Sequence, residues 1–186
     1  MTLRADSTLR EVAVAVAVAL QKAGIRAVLT GGGIATIHTR GDYKSEDLDF
    51  IVQSAATRAH LDQALGTVGF KRAGDHYDHP TTRFFVEFPR GPLSIGRDFE
   101  IRPIEVKVGR GVVLALSPTD SCRDRLAAFY FWNDGQSLDV AVQIGMRERV
   151  SLPAIRRWSE SEGMLERFHE FERELKRRRR RGKPRA

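Results

Sequence analysis

Residues 47–52 read Asp-Leu-Asp-Phe-Ile-Val, and a short stretch upstream lies the run Ala27-Val28-Leu29-Thr30-Gly31-Gly32-Gly33. Side chains on a strand alternate between its faces, so Leu48, Phe50 and Val52 would point one way and Asp47, Asp49 and Ile51 the other. The two carboxylates then share a side, about 6 to 7 Å apart along the backbone. Upstream, the apolar residues 27–30 fit a short strand, and Ile34-Ala35-Thr36-Ile37-His38 after the glycines fit a helical turn or two. Strand, glycine turn, helix, polar loop and Asp-x-Asp strand together point to an α/β (α+β) chain with a mixed sheet flanked by helices.

Two acids at that spacing can share hard cations. Magnesium takes oxygen ligands, keeps several waters, and is usually held by one or two carboxylates together with substrate phosphates. A pair of such ions can stabilise both the attacking and the leaving oxygen of an in-line displacement. The glycines fit the same chemistry, because backbone amides at a helix start with no side chain in the way can receive a phosphate.

Gly31-Gly32, the segment Ser45-Glu46-Asp47-Leu48-Asp49-Phe50 and the spacing between them resemble the signature of the DNA polymerase β-like nucleotidyltransferase superfamily. Within it the chain is most similar to the small bacterial branch that includes the AbiEii-type and related toxin–antitoxin nucleotidyltransferases. The resemblance implies a nucleotidyltransferase core that moves a nucleoside monophosphate from an NTP to an acceptor and releases pyrophosphate. Asp47 and Asp49 would hold Mg²⁺, two ions being expected. Gly31, Gly32 and Ser45 would meet the nucleotide. Many relatives carry Ser where this chain has Gly32, a variant that marks a subtype.

The family's third acid sits on a later strand beside the Asp-x-Asp strand. Glu87, on the candidate strand over 82–89 with Phe84, Val86 and Phe88 on the opposite face, is the expected third ligand and a candidate base, where relatives more often carry Asp. Glu100 and Glu105 compete for the place, although Pro103 would make their strand an edge or a broken one. Where relatives often carry Lys, the chain offers Arg123 or Arg125, of which Arg125 is the expected nucleotide-binding residue; an arginine can hold a triphosphate but cannot act as a base. Asp134 and Asp139 fall where relatives often carry an Arg-Asp pair. An RNA acceptor such as a tRNA end and a cognate antitoxin are the partners the resemblance suggests. A rival reading keeps the fold without the activity, as a module that binds nucleic acid or a partner protein.

The expected organisation is a core over 1–117, a helical region over 118–175 and a disordered basic tail over 176–186. Within the core, a helix near 7–23 precedes strands near 25–30 and 47–53, with the glycine turn and a short helix to 39 between them. A helix over 57–65 ended by Gly66, a looped or partly extended polar stretch over 71–80, and strands near 82–89 and 103–115 follow. Helices are then expected over 119–131, 136–148 and about 153–175. Phe168, Phe171 and Leu175 recur at helical spacing and read as core contacts. His76-x-x-His79 lacks cysteine partners and does not read as a zinc site.

At 186 residues with 41% hydrophobic content, the chain is long enough for one good core. Its formal charge of +7 is local. Lys176, Arg177, Arg178, Arg179, Arg180, Arg181, Lys183 and Arg185 supply eight positives with no acid among them, so residues 1–175 sum to 7 − 8 = −1. Such a block reads as an arm for nucleic acid, Arg177 to Arg181 being its expected contacts. The single cysteine, Cys122, allows no internal disulfide and fits a cytoplasmic protein. Arg4 and Arg10 before the apolar run 12–20 imitate a short signal peptide. A helix explains the run better, because Thr8 and Glu11 have capping-box spacing and Gly24 can stop it. No membrane-spanning segment is expected.

Overall fold

The computed structural model describes residues 2–181. Its elements are α1 (Leu9–Lys22), β1 (Ala27–Thr30), α2 (Gly31–His38), β2 (Asp47–Val52), α3 (Arg58–Gly66), β3 (Lys71–Ala73), β4 (His76–Asp78), β5 (Phe85–Glu87), β6 (Ile104–Val108), β7 (Gly111–Ala115), α4 (Pro118–Trp132), α5 (Gly135–Arg147), α6 (Leu152–Ser161) and α7 (Leu165–Arg181). The strands form one mixed sheet in the order β3-β4-β5-β2-β1-β7-β6. The pairings β1–β7 and β2–β5 are parallel and the others antiparallel.

Local chemistry sets the element boundaries. Thr8 and Glu11 close a reciprocal capping box at the start of α1, Ser117 caps α4, and Asp134 caps α5 through the amides of Gln136 and Ser137. Alternation in β2 follows the expected pattern, with Leu48 and Phe50 fully buried and Asp47 and Asp49 on the half-buried face. Parallel pairing seats β5 beside β2, and β1 lies on β2's other side, so the Asp-x-Asp strand is interior to the sheet.

Four expectations change. The stretch 103–115 is two strands, because Gly109, at φ +58°, turns the chain between β6 and β7. The polar stretch 71–80 contains the β3–β4 hairpin, turned at Gly74 with φ +68°. The helix expected over 153–175 is broken into α6 and α7, with Gly163 in the left-handed region at φ +76°. The basic run is not a separate tail as far as Arg181: it continues α7, because arginine is a good helix former and glutamates one turn back pair with it. The rest of the expected tail, 182–186, lies outside the described residues.

One hydrophobic core runs from Leu9, Val12 and Val16 of α1 through Val28, Leu48 and Val86 of the sheet to Leu126, Ile144, Phe168, Phe171 and Leu175 of the C-terminal helices. The join is made by α2, which is buried along its whole length and packs against β1 and β2 as well as α4 and α5. His38 at its end meets the carbonyl of Leu116 through Nε2 at 3.1 Å, tying α2 to the chain that leads into α4. Among the described residues no helix is long and apolar enough to cross a membrane.

Candidate active site

Backbone register brings the sequence motifs together. Asp49 lies opposite Thr30 of β1 on one side and Glu87 of β5 on the other, and Asp47 lies opposite Phe85. Because neighbouring strands are about 4.8 Å apart, Asp49 and Glu87 leave the backbone side by side. Glu100 and Glu105 do not reach this place: Glu100 is in an exposed loop, and Glu105 is on β6, three strands away from β2.

The glycine turn is shaped by those acids. Gly31 has φ +62°, and a Cβ there would overlap the Asp49 carboxylate; a Cβ on Gly32 would overlap the Ser45 hydroxyl. Both positions therefore need glycine for close approach, and Gly31 also for its backbone conformation. No side chain caps α2 at Thr30, whose hydroxyl instead donates to the Asp49 carbonyl at 3.3 Å. Ser45 donates a short hydrogen bond to Asp47 Oδ1, and its own amide donates to Thr36 of α2 at 3.0 Å. Ser45 thus ties the carboxylate pair to the helix that starts at the glycines.

The electrostatics of this cluster are unusual. Burial, and then the charges of Asp47, Glu87 and Asp124, push the Asp49 carboxyl up to about 7, with Arg125 opposing. Arg125 of α4 is the nearby cation: its Nε and Nη2 donate to Asp124 Oδ2 at 3.1 and 2.7 Å, and Asp124, Tyr43 and Asp49 all favour its charged form. Arg123 is committed elsewhere, bonded to Asp98 and to Asp120 at 2.9 Å and lying 5.1 Å over the Trp158 ring. Of the two arginines the sequence offered, Arg125 is the one at the acids.

The donor set fits magnesium. It is all oxygen, Asp47 and Asp49 share a face, and burial followed by neighbouring negative charge raises Asp49 where a cation would lower it. Among the described residues no three His, Cys, Asp or Glu side chains converge closely enough to hold a metal by themselves. Two carboxylates with substrate phosphates are a usual arrangement for this ion.

No protein-family model matches the chain, and no curated protein matches it either. Among solved structures, an antigenic nucleotidyltransferase-like protein from Paracoccidioides brasiliensis is similar to it, with a TM-score of 0.57 and 15% identity over 73% of this chain and 74% of that one. The fold is nucleotidyltransferase-like. At that identity the likeness concerns the fold, and the site is argued from this chain's own residues.

Other expected residues lie apart from this cluster. Arg177 and Arg178 pair with Glu174 of the same helix, while Arg178 also bonds Asp139 and Arg179 donates to the Gly145 carbonyl at 2.8 Å, so Arg178 and Arg179 of the supposed arm brace α7 against α5. Arg180 and Arg181 extend the same helix. Asp134 caps α5, where the family likeness had suggested part of an Arg-Asp pair. His76 pairs with Asp78, and His79 Nδ1 accepts from the Thr81 amide at 3.2 Å. Two residues of the cluster were not singled out in the sequence, Asp124 and Tyr43. Asp124 has a visible signal in its adjacency to Arg125; Tyr43 sits in an unpatterned loop and has none.

Proposed function

We propose that the chain is a magnesium-dependent nucleotidyltransferase that moves a nucleoside monophosphate from an NTP to a hydroxyl-bearing acceptor. The observation that carries this reading is the crowding of Asp47, Asp49 and Glu87 against the start of α2, with Asp49 raised to about 7 by burial and like charge. Such a cluster costs stability, and a site that binds cation and phosphate gives it a use.

In this reading an acceptor hydroxyl oxygen attacks the α-phosphorus, a new P–O bond forms, and the bond from the α-phosphorus to the bridging oxygen of the β-phosphate breaks. Pyrophosphate leaves with that electron pair, and the hydroxyl proton passes to Glu87. Asp47 and Asp49 would hold Mg²⁺, which would supply Lewis-acid polarisation of the phosphate and offset charge on the leaving group. Gly31 and Gly32 offer amides to the β and γ phosphates. Arg125 adds a positive charge that stays protonated throughout. Ser45 orients Asp47 through its hydrogen bond.

An RNA end is the acceptor class we put first, because the chain's excess positive charge is gathered at its C-terminal end. The test is incubation with each α-labelled NTP, Mg²⁺ and a total RNA pool, beside Asp47→Asn and Asp49→Asn. The reading expects label on RNA from the native chain alone. Label transfer that survives both substitutions would overturn it.

A further inference from the structure

On α4 the residues from Ser121 to Trp132 that are not buried are Asp124, Arg125, Ala128, Phe131 and Trp132. At 100° per residue, positions seven apart nearly coincide, so Trp132 lies in line with Arg125 and Phe131 in line with Asp124. Ala128 stands between them with only a methyl group. One continuous stripe therefore runs from the ion pair beside Asp49 to two exposed rings.

Those rings are, with Phe99 in the loop before β6, the well-exposed large aromatics among the described residues. Trp132 is 77% exposed and Phe131 42%, whereas the other tryptophan, Trp158, is 5% exposed and donates Nε1–H to the Ile95 carbonyl at 3.1 Å. Phe168 and Phe171, the aromatics at helical spacing on α7, are buried in the core. Phe131 and Trp132 meet edge to face, with centroids 6.3 Å apart. The end of α4 that carries them is braced: Arg167 of α7 donates to the Phe129 carbonyl at 2.7 Å and to Asn133 Oδ1 at 2.8 Å, and its guanidinium lies 4.6 Å over the Phe129 ring.

We propose that Phe131 and Trp132 form a stacking shelf for a nucleobase whose phosphates lie at Asp49, Arg125 and the glycine turn. The inference rests on the nucleotidyltransferase reading of that site and adds to it the place where a base is held. Seven residues at 1.5 Å each put the rings about 10 Å along the helix from Arg125. Helical side chains lean toward the N-terminus, which brings the Trp132 ring back toward the ion pair. That span suits a nucleotide, with anionic phosphates at one end and an aromatic base at the other. Every base has a π-face, so a braced, exposed ring pair accepts any of them. The base is that of the donor NTP, whose phosphates the glycine turn and Arg125 receive in the nucleotidyltransferase reading.

Tryptophan emission reads the shelf directly, since Trp132 is the exposed fluorophore and a Trp132→Phe variant supplies the background of Trp158. The probes are each NTP with Mg²⁺, a short single-stranded oligoribonucleotide, and inorganic tripolyphosphate, which has no base. The shelf predicts quenching by an NTP, absent in Trp132→Phe and absent with tripolyphosphate. Quenching by the oligoribonucleotide and by no NTP would overturn the assignment to the donor base. In transfer assays, Trp132→Ala is expected to raise KM for the NTP about 10-fold with kcat nearly unchanged, and Trp132→Phe to restore it.

No quenching by any probe, or equal quenching in Trp132→Phe, would overturn the shelf even if transfer is intact. Quenching that persists while no transfer occurs would sink the enzymatic reading and leave the shelf standing. Conversion of a dimer to a monomer by Trp132→Ala, with base binding unchanged, would show the rings to be a self-association surface and the shelf to be wrong.

Discussion

Asp49 is the residue on which stability and function pull in opposite directions. Its carboxyl is raised to about 7 from an unfolded value near 4, so between those values the folded state holds a proton that the unfolded state has lost. Stability is then greatest below about pH 4 as far as this group is concerned, and declines as pH rises through about 7. Urea unfolding of the metal-free protein from pH 5 to pH 8 should show this fall, and Asp49→Asn should flatten it. At pH 8 the same substitution is expected to raise Tm by about 2 to 8 °C, corresponding to roughly 1–2 kcal/mol, while lowering transfer on the order of 100-fold or more. Added Mg²⁺ should stabilise the native chain at pH 8 and leave Asp49→Asn unmoved. Gly31→Ala goes the other way, because a left-handed φ and overlap with Asp49 combine. It should cost about 1–3 kcal/mol of stability and most of the activity, measured by thermal melting and label transfer.

At the scale of elements, the run from β1 to β2 was legible because its signals are local: alternation, three glycines and two acids within one short stretch. The β6–β7 hairpin was hidden because Gly109-Arg110-Gly111 interrupts a run rich in β-branched residues that reads as one strand. The break between α6 and α7 turns on Gly163, whose left-handed φ has no neighbour within 4 Å to explain it beyond the turn itself. Gly163→Ala should therefore act by backbone strain alone, lowering Tm by roughly 2 to 8 °C for about 1–2 kcal/mol. Choosing between Arg123 and Arg125 needed tertiary information, since the partner that removes Arg123 from the site is Asp98 in a loop 25 residues upstream. The arginine run was read by its summed charge, whereas Glu172 and Glu174 one turn back and Asp139 on α5 decide its structure. Arg178→Ala should cost about 0.5–1 kcal/mol in thermal melting, given that Arg178 is part exposed. Replacing Arg180 and Arg181 with alanine should leave Tm nearly unchanged and reduce both RNA affinity and its salt slope; an unchanged slope would remove α7 from the RNA-binding account.

For the whole molecule, the C-terminal helices and the sheet share one core through α2, so the carboxylates on β2 and β5 and the arginine on α4 are positioned by a single packed unit. That continuity is what lets α4 carry a charge to the acids and, on the same stripe, two exposed rings outward. The measurement that tests the account most directly follows α-labelled and γ-labelled NTP in parallel with Mg²⁺ and acceptor RNA. The account predicts that α-label joins the acceptor at the rate at which γ-label appears in pyrophosphate, with both lost in Asp47→Asn and Asp49→Asn. Transfer of the γ-label to the acceptor, its release as orthophosphate, or unchanged rates in the two variants would contradict it.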